Sequence, residues 1–391
     1  MKIGIITYWN SLDNYGQQLQ CYALQTLLRS WGYDAYLIRY APRKEKNKAC
    51  ILKKVLMVIR NPKSIIAHLP IETKVKKNFR YEQQLRVTNL RRNPERGFEQ
   101  FRKENLQMTE KVYSSFDELY NDPPNADVYI TGSDQVWHDS LKKKAARGWF
   151  LQFGGTDTLR ISYAASIGRT LSTDENFLLA SYLKNFSAIS LREQSACDIC
   201  KSLGFDAQVC TDPTMLLQIS CYNKISGKVA EDNTYAFLYY LNVKTEEDLY
   251  WSQISEYLTE EGIGLKSVNA SGYYQGRELI KGNTSILATI PQWLGYIQGA
   301  RFVFTTSFHG TVFAILMHKP FLTIGLRGKY AHSNSRMEQL LEALGIPERM
   351  LTPNKSIRQQ MEDPIDWDEV DSRLEKMRKS SLDFLRDNLR S

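Results

Sequence analysis

The chain has 391 residues, 42% of them hydrophobic, and a formal net charge of +8. This length exceeds the roughly 250–300 residues at which one hydrophobic core stops growing, so we expect two domains. No run of about 18 apolar residues predicts a membrane-spanning helix, and the start lacks the basic and apolar pattern of a secretory signal. The six cysteines show no disulfide spacing, which favours free thiols in a reducing cytoplasm.

The first forty residues predict a β–α–β unit. Its parts are a strand over Lys2–Tyr8, a helix over Gln17–Trp31 and a strand over Asp34–Tyr40. The loop Asn14-Tyr15-Gly16 then lies at the carboxyl edge of a parallel sheet, where open α/β folds bind ligands. These three residues are therefore candidates for ligand contact, although the same residues also suit a simple turn.

A strongly basic segment follows. Between Arg39 and Lys103 stand 19 Lys or Arg and 5 Glu, a local net charge of +14. Within it, Ala49–Pro70 mixes aliphatic and basic residues in a pattern typical of a helix on an anionic lipid surface. A helical insertion packed on its own domain, with a solvated basic face, explains the pattern equally simply. No nucleic-acid motif accompanies the charge, so we predict no nucleic-acid partner.

The next elements return to the predicted sheet. A helical stretch near 97–104 leads to a strand over Asp127–Thr131, and Ile161–Gly168 reads as another buried strand. In the loop between them, Asp134 and Gln135 are candidates to bind hydroxyl groups or accept a proton, and Trp137 offers a flat apolar face. Asp134 equally suits a helix cap.

A second strand and helix series is predicted from Ser187–Leu191 onward, with Arg192 in the loop after that strand. The remaining predicted elements are a helix 194–203, a strand 208–210, a turn at 211–213, strands at 235–241 and 320–324, the segment 265–268, and helices at 245–261, 291–299 and 335–344. Alternating strands and helices predict doubly wound parallel sheets in both halves. We therefore expect an α/β protein of two Rossmann-like domains facing a cleft. The predicted boundaries are 1–185, with the basic insertion at about 41–105, then 186–350, and a C-terminal helix at 365–391.

The stretch Arg301–Met317 carries the strongest signal for a site. A buried strand breaks at Ser307-Phe308-His309-Gly310 and restarts as an apolar helix. His309 thus stands where a strand meets a helix N-terminus, whose free N–H groups favour an anion and where an imidazole can exchange a proton. Gly310 and Thr311 are small enough to let a ligand approach. A phosphate or carboxylate substrate fits this junction.

Six fragments in order along residues 1 to about 345 resemble the polysaccharide pyruvyl transferase family. They are NYGQQLQCYAL, ITGSDQVW, SYAASIG, SLREQS, TDPT and SFHG. The resemblance implies a GT-B-like fold and an enzyme that installs the enolpyruvyl part of phosphoenolpyruvate as a cyclic ketal on two sugar hydroxyls. In that family the arginine of the SxRxxS pattern, here Ser190, Arg192 and Ser195, contacts phosphoenolpyruvate, and the histidine matching His309 is catalytic.

One position departs from a branch of the family that carries an arginine two residues before the histidine. This chain has Ser307 there, so one anion contact must come from elsewhere. The nearby loop offers Arg327, Lys329 and Arg336. We prefer Arg327, since it follows the strand over Pro320–Ile324 at the same sheet edge, although a surface basic loop is an equal interpretation.

These features give one hypothesis and two alternatives. The hypothesis is a bacterial cytoplasmic pyruvyltransferase of capsular or exopolysaccharide biosynthesis, with phosphoenolpyruvate as donor and a sugar, on a polyprenyl-diphosphate-linked glycan, as acceptor. The second domain, with Arg192 and His309, is then the donor side. The first domain is the acceptor side, where the Trp137 ring faces the apolar side of the sugar. Arg192 and the helix end near Ser307, Phe308 and Gly310 hold the anion, and His309 supplies a proton; no metal or separate cofactor is predicted. The basic segment then docks the enzyme at the inner face of the membrane. The alternatives are a GT-B glycosyltransferase using a nucleotide sugar and a membrane-surface binding protein.

Overall fold

The computed structural model describes residues 1–43, 93–227, 234–270, 279–352 and 354–390. These form eleven strands: β1 (Lys2–Ile6), β2 (Asp34–Tyr40), β3 (Met108–Tyr113), β4 (Val128–Thr131), β5 (Leu159–Ala165), β6 (Ala188–Leu191), β7 (Gln208–Val209), β8 (Tyr235–Tyr240), β9 (Gly264–Asn269), β10 (Phe302–Thr305) and β11 (Phe321–Thr323). The α-helices of the same residues are α1 (Tyr15–Ser30), α2 (Phe98–Asn105), α3 (Phe116–Asn121), α4 (Ala146–Trp149), α5 (Thr173–Leu183), α6 (Gln194–Ser202), α7 (Ile219–Asn223), α8 (Trp251–Glu260), α9 (Ile290–Gly299), α10 (Phe308–Leu316), α11 (Ser335–Leu344), α12 (Ile357–Glu362) and α13 (Trp367–Leu389). The basic segment Ala49–Pro70 lies outside the described residues.

The first sheet has the order β3-β2-β1-β4-β5-β6-β7, and all its strand pairs are parallel. Its central strands are continuous apolar runs, as expected when helices cover both faces. The strand order reverses between β1 and β4, and this is the switch point at which such sheets open a crevice beyond their carboxyl ends. The predicted β–α–β unit is confirmed, with α1 between β1 and β2.

The sheet assignment of β6 corrects one expectation. We predicted that the strand at 187–191 opens a second sheet, but β6 pairs with β5, and β7 pairs with β6. Strand periodicity identifies a buried strand and carries no information about its neighbours, so this error could not be avoided from the pattern alone. Arg192 therefore belongs to the carboxyl edge of the first sheet. The division into two domains stays a prediction, and the pairing favours a boundary after β7 rather than at 185.

The second sheet is smaller, with the parallel order β11-β10-β8-β9. Its switch point lies between β8 and β10, and the predicted break at Ser307-Phe308-His309-Gly310 follows β10 directly. Ser307 is the N-cap of α10, and its hydroxyl accepts a hydrogen bond from the Gly310 N–H at 3.3 Å. Every residue of α10 from Phe308 to Ile315 is buried, as its apolar sequence predicts.

The two sheets are joined by aromatic packing and by the C-terminal helix. Tyr15 of α1 stacks on Trp293 of α9 with ring centroids 5.3 Å apart, and its hydroxyl donates to the Ala288 carbonyl at 2.6 Å. The predicted C-terminal helix is present as α13. Its Ser381 accepts from the Thr211 N–H beyond β7 at 3.0 Å. Asp371 of the same helix lies 3.0 Å from His318, at the end of α10, so α13 contacts both halves.

Some elements differ from the predicted ones. The expected long helix over 245–261 is broken, because Tyr250 adopts a left-handed φ of 54° between a 3-10 helix over Glu246–Leu249 and α8. Strand β3 and helices α3 and α5 carry weak periodicity and were not predicted. In the part of the chain that the structure describes, no helix is both long and apolar enough to cross a membrane.

Candidate active site

The carboxylate of Asp212 lies at the point where the two sheet edges meet. Asp212 follows β7 and is fully buried. Its Oδ2 accepts from Arg192 Nη1 at 3.0 Å and from Ser133 Oγ at 2.8 Å, and it lies 3.5 Å from His309 Nε2. Its Oδ1 accepts from the N–H and the hydroxyl of Thr214. One buried carboxylate thus joins the arginine of the first sheet to the histidine of the second.

The surroundings of Asp212 keep it ionised. Burial by itself raises its pKa, but the nearby His309, the charge of Arg192 and the Thr214 N–H together hold the pKa well below the ordinary value. A buried carboxylate with this many donors is the arrangement in which an ion pair persists inside a protein. Asp212 is therefore a fixed negative charge between two groups that carry or accept protons.

A cavity of about 750 Å³ opens beside this cluster, with Arg192, Asp212, Phe308 and Arg336 in its wall. The Arg192 guanidinium lies over the Phe308 ring at 4.9 Å. Its Nε and Nη2 are buried and have no hydrogen-bond partner among the described residues, and the same holds for Nε of Arg336. Burial and repulsion from Arg192 lower the pKa of Arg336 to about 10. Two guanidinium groups with free donors therefore share one end of the cavity.

Two further carboxylates lie in the same cluster. Glu193, which is 4% exposed, accepts from the Ser166 hydroxyl through Oε1, and the Ser166 N–H donates to the backbone carbonyl of Asp134. Asp134 has a left-handed φ of 77°, and its Oδ1 accepts from the Gln135 N–H. Oδ2 of Asp134 and Oε2 of Glu193 are buried without a hydrogen-bond partner among the described residues. Free carboxylate oxygens at such a site suit the acceptance of hydroxyl protons.

His309 is positioned by two residues of the first-sheet half. It is 7% exposed, and Asp212 lies on one side of it. On the other side, Gly16 at the start of α1 packs so closely that a Cβ there would lie 2.1 Å from His309 Nδ1. His309 is absent from the described wall of the 750 Å³ cavity, whereas its partner Asp212 is part of that wall. The imidazole is thus connected to the cavity wall by its contact with Asp212.

Several predicted ligand contacts prove to be structural. The Ser190 hydroxyl joins β5 to β6, since it donates to the Ser162 carbonyl and accepts from the Ala164 N–H, each at 3.0 Å. Thr311 bonds Ser307 and Thr323 through its hydroxyl. Gly310 is required by packing, because a Cβ there would lie 2.2 Å from the Thr305 hydroxyl.

Two other predicted contacts lie away from the cluster. Trp137 is 1% exposed, stacks on Phe150 and donates to the Trp149 carbonyl, so the proposed sugar-stacking face is wrong. Ser195 is an exposed residue of the first turn of α6. Trp137 was misassigned because it follows a sheet-edge loop, and burial of its ring cannot be read from that position.

The alternative cation is Arg336 rather than Arg327. Arg327 is exposed, and its guanidinium lies over the Tyr250 ring at 4.4 Å. Arg336, in the first turn of α11, lines the cavity beside Arg192. The preferred substitute for the arginine absent at Ser307 is therefore not brought to the cluster, while another residue named from the same loop is.

The predicted ligand residues before α1 and after β4 have turn and packing roles. Asn14 caps α1 by accepting from the Gln17 N–H, and Tyr15 is fully buried at the junction of the two halves. Gln135 is partly buried, with its side-chain amide close to Gly168. Gly16 contacts the cluster through His309, and Gln135 contacts it through its backbone N–H, which donates to Asp134.

Asp212 is the residue that sequence reasoning missed. Asp212-Pro213 was interpreted as a turn, and it does cap the 3-10 helix over Pro213–Met215 through Oδ1. The other oxygen, Oδ2, contacts Arg192, Ser133 and His309. Nothing in the Asp212-Pro213 dipeptide indicates these contacts. The available signal was position, because Asp212 follows a predicted strand at the same sheet edge as Arg192.

A model of the polysaccharide pyruvyl transferase family matches residues 14–327. No protein of curated function matches the sequence. Among the described residues, no group of three or more His, Cys, Asp or Glu side chains is arranged to hold a metal ion.

Solved structures with the same fold include a UDP-N-acetylglucosamine 2-epimerase from Rickettsia bellii, which is 10% identical with a TM-score of 0.54 over 99% of this chain and 96% of that one. The UDP-GlcNAc 2-epimerase from Neisseria meningitidis bound to UDP-GlcNAc is 11% identical with a TM-score of 0.47 over 100% and 99%. The architecture is the GT-B-like pairing of two parallel α/β sheets, as predicted. At these identities the likeness concerns the fold alone.

Proposed function

The chain belongs to the polysaccharide pyruvyl transferase family, and from this membership and the charged cluster we propose that it transfers the enolpyruvyl group of phosphoenolpyruvate to two hydroxyls of a sugar as a cyclic ketal. It is an enzyme of polysaccharide modification by family. The donor, the ketal chemistry and the role in capsule or exopolysaccharide assembly are parts of the proposal.

The observation that carries the proposal is the pair Arg192 and Arg336. Two guanidinium groups share one end of the cavity, repel each other, and keep buried N–H donors without a hydrogen-bond partner among the described residues. A ligand with two anionic groups relieves both conditions, since each guanidinium can form charge-assisted hydrogen bonds to a carboxylate or a phosphate. Phosphoenolpyruvate carries both groups on three carbons.

The reaction needs little more than charge neutralisation and proton transfer. A proton added to the methylene carbon makes the central carbon electrophilic, and a sugar hydroxyl adds there as it loses its proton. The C–O bond to phosphate then breaks, its electron pair leaves with phosphate, and the second hydroxyl closes the ketal. The two sugar hydroxyls lose two protons in total. One proton ends in the new methyl group and the other on the released phosphate. Positioning and electrostatic stabilisation are the main tools for such a step.

His309 is the proposed proton donor, with Asp212 as its partner. The ionised carboxylate of Asp212 lies 3.5 Å from Nε2 and orients the ring. The free oxygens of Asp134 and Glu193 are suited to take the hydroxyl protons of the sugar. A donor, an acceptor and anion-binding groups are thus present within one cluster.

The lipid-linked acceptor and the membrane surface remain proposals that rest on the basic segment between Arg39 and Lys103. Sedimentation of the full chain with vesicles of neutral and of anionic lipid measures that contact. An enzyme acting on a polyprenyl-diphosphate glycan is expected to bind the anionic vesicles and to release at high salt.

Incubation of the full chain with phosphoenolpyruvate and a panel of methyl glycosides, read by mass spectrometry, tests the transfer. The expected product is heavier than the acceptor by pyruvate minus water and depends on phosphoenolpyruvate. His309→Ala is expected to lower turnover about a thousandfold with an unchanged melting temperature, as for loss of a general acid. Near-normal turnover by this variant contradicts the role of His309.

Titration with nucleotide sugars separates the glycosyltransferase alternative. A GT-B glycosyltransferase is expected to bind a nucleotide sugar and to ignore phosphoenolpyruvate, whereas the proposed enzyme does the reverse. Transfer of a sugar from a nucleotide donor would replace the proposal.

A further inference from the structure

The 750 Å³ cavity extends well beyond the two arginines. Its inner end is formed by Arg192, Asp212 and Phe308, which are each at most 9% exposed. Its outer part runs between α11 and α13 and the carboxyl end of β7. Cavities of this size enclose ligands much larger than a three-carbon acid, so the donor at the arginine end leaves most of the space free.

The outer wall has the residue types that recognise a sugar. Its exposed polar members are Gln194, Gln339, Glu342, Lys376 and Ser380. Between them Leu340, Ala343 and Met377 provide an apolar surface. Planar amide and carboxylate groups with a lysine hydrogen-bond hydroxyls, and aliphatic side chains pack against the C–H face of a pyranose ring.

The charge of this wall favours a neutral ligand. Glu342 and Lys376 carry opposite charges and form no ion pair with any described residue, so both remain available to hydroxyls. Among the described residues of the wall, Phe308 is the one aromatic side chain, and the Arg192 guanidinium already covers it. A nucleotide base therefore finds no ring on which to stack, whereas a hexose needs none.

We propose that the groove between α11 and α13 is the acceptor subsite, and that it binds a neutral hexose residue with its hydroxyls directed toward the arginine end. This inference rests on the proposed function and moves the acceptor away from the first-sheet loop where Trp137 was expected to bind it. The C-terminal helix, beyond the 14–327 match to the family, becomes a wall that selects the sugar.

The test uses two tryptophan substitutions at exposed positions. Ala343→Trp fills the groove, and Lys379→Trp adds the same ring on α13 outside the cavity wall. Calorimetry measures binding of phosphoenolpyruvate at the donor site. Binding and use of the acceptor are measured with methyl glycosides of glucose, galactose, mannose, N-acetylglucosamine and N-acetylmannosamine, by transfer assays and by saturation-transfer NMR. We expect Ala343→Trp to bind the donor within about twofold of wild type and to lose at least about tenfold in kcat/KM for the glycoside, and Lys379→Trp to stay within about twofold of wild type in both.

A second pair removes a charge without adding bulk. Lys376→Ala is expected to raise the KM for the glycoside about fivefold and to leave that for phosphoenolpyruvate within about twofold. Lys379, also exposed on α13 but outside the cavity wall, provides the control, and Lys379→Ala is expected to change neither constant.

Four outcomes overturn the inference. They are wild-type transfer by Ala343→Trp, loss of donor binding by that variant, UDP binding that Ala343→Trp abolishes, and a wild-type protein that binds phosphoenolpyruvate but neither binds nor modifies any of the five glycosides. A wild-type protein that does not bind phosphoenolpyruvate refutes the proposed function itself, and the inference with it.

Discussion

The two sheet edges that meet at the cleft contribute different chemistry. The first-sheet edge supplies Arg192, Asp212, Glu193 and Asp134, all buried and charged. The second-sheet edge, after β10, supplies neutral capping groups and a single titratable side chain, His309. Buried charges persist only where partners are at hand, and the converging loops of the seven-stranded sheet provide them.

This contrast changes which half of the molecule is expected to bind the donor. The donor was assigned to the second half because both Arg192 and His309 were placed there. With Arg192 on the first sheet, the proposed anion site is built mainly by the first half, and the second half adds His309 and Arg336 to it. The proposed donor is thus enclosed between the halves rather than bound to one of them.

After the loss expected for His309→Ala, the largest effect is expected at the first-sheet edge. Arg192→Lys keeps a positive charge near Asp212 but removes the planar pair of free donors, so kcat/KM for phosphoenolpyruvate is expected to fall about 300-fold. Arg327→Lys, at the second-sheet edge, is the matched control and is expected to stay within about twofold. Steady-state kinetics check both. Equal losses in the two variants would abolish the contrast between the edges.

The next effect tests the contact between the edges. Gly16→Ala places a methyl group against Nδ1 of His309, so either the imidazole or the start of α1 must move. Because misplacement of a catalytic group by about 1 Å costs about a hundredfold, kcat is expected to fall by that factor while donor binding changes little. Gly155→Ala is the control, since the nearest atom to its Cβ is 3.7 Å away. A Gly16→Ala enzyme of normal kcat would show that His309 is not positioned by α1.

Much of the fold was accessible from sequence, because buried strands and capped helices leave local signals. Helix α11 begins and ends at the predicted residues, α13 lies within the predicted 365–391, and the junction at His309 was located correctly. Sheet membership was not accessible, since β6 has the same pattern whichever sheet it joins. The error in placing Arg192 follows from that ambiguity alone.

The cluster was only partly accessible for a related reason. Arg192 and His309 stand at sheet edges, where position alone suggests a ligand. Arg336 lies on a helix, and its approach to Arg192 depends on how α11 packs, which no local pattern encodes. Asp212 was predicted to form a turn, and it does. Its second role, the contact with Arg192 and His309, leaves no signal in the local sequence.

A smaller effect is expected where the two edges share a charge. Asp212→Asn preserves the cap on Thr214 but removes the negative charge between Arg192 and His309. The loss of that charge favours a bound anion, yet it also removes the carboxylate that orients the His309 ring. We expect kcat to fall about thirtyfold while the KM for phosphoenolpyruvate stays equal or decreases. A raised KM with unchanged kcat would make Asp212 a binding residue and contradict its proposed part in proton transfer.

The smallest effect concerns an ion pair far from the cleft, and it separates charges that stabilise the fold from charges that act in the site. Arg169 donates two hydrogen bonds to Glu175, at 2.7 and 2.9 Å, and these bonds, against the opposing effect of desolvation, lower the pKa of Glu175 to about 2. A lowered native pKa adds stability that is complete above the unfolded value near 4.5 and is lost as pH falls toward 2.

Solvent screening reduces this contribution, so Glu175→Gln is expected to lower the free energy of unfolding by about 1–2 kcal/mol at pH 7 and to flatten its pH dependence between 4.5 and 2. Urea unfolding at several pH values measures both, and Glu99→Gln, which removes an exposed pair with Lys103, is the control without an expected change. Turnover at pH 7 is expected to remain within about twofold, because no described contact links Glu175 to the cluster. If turnover fell with stability in this variant, the charges at the first-sheet edge could not be treated as a site distinct from the charges that hold the same sheet together.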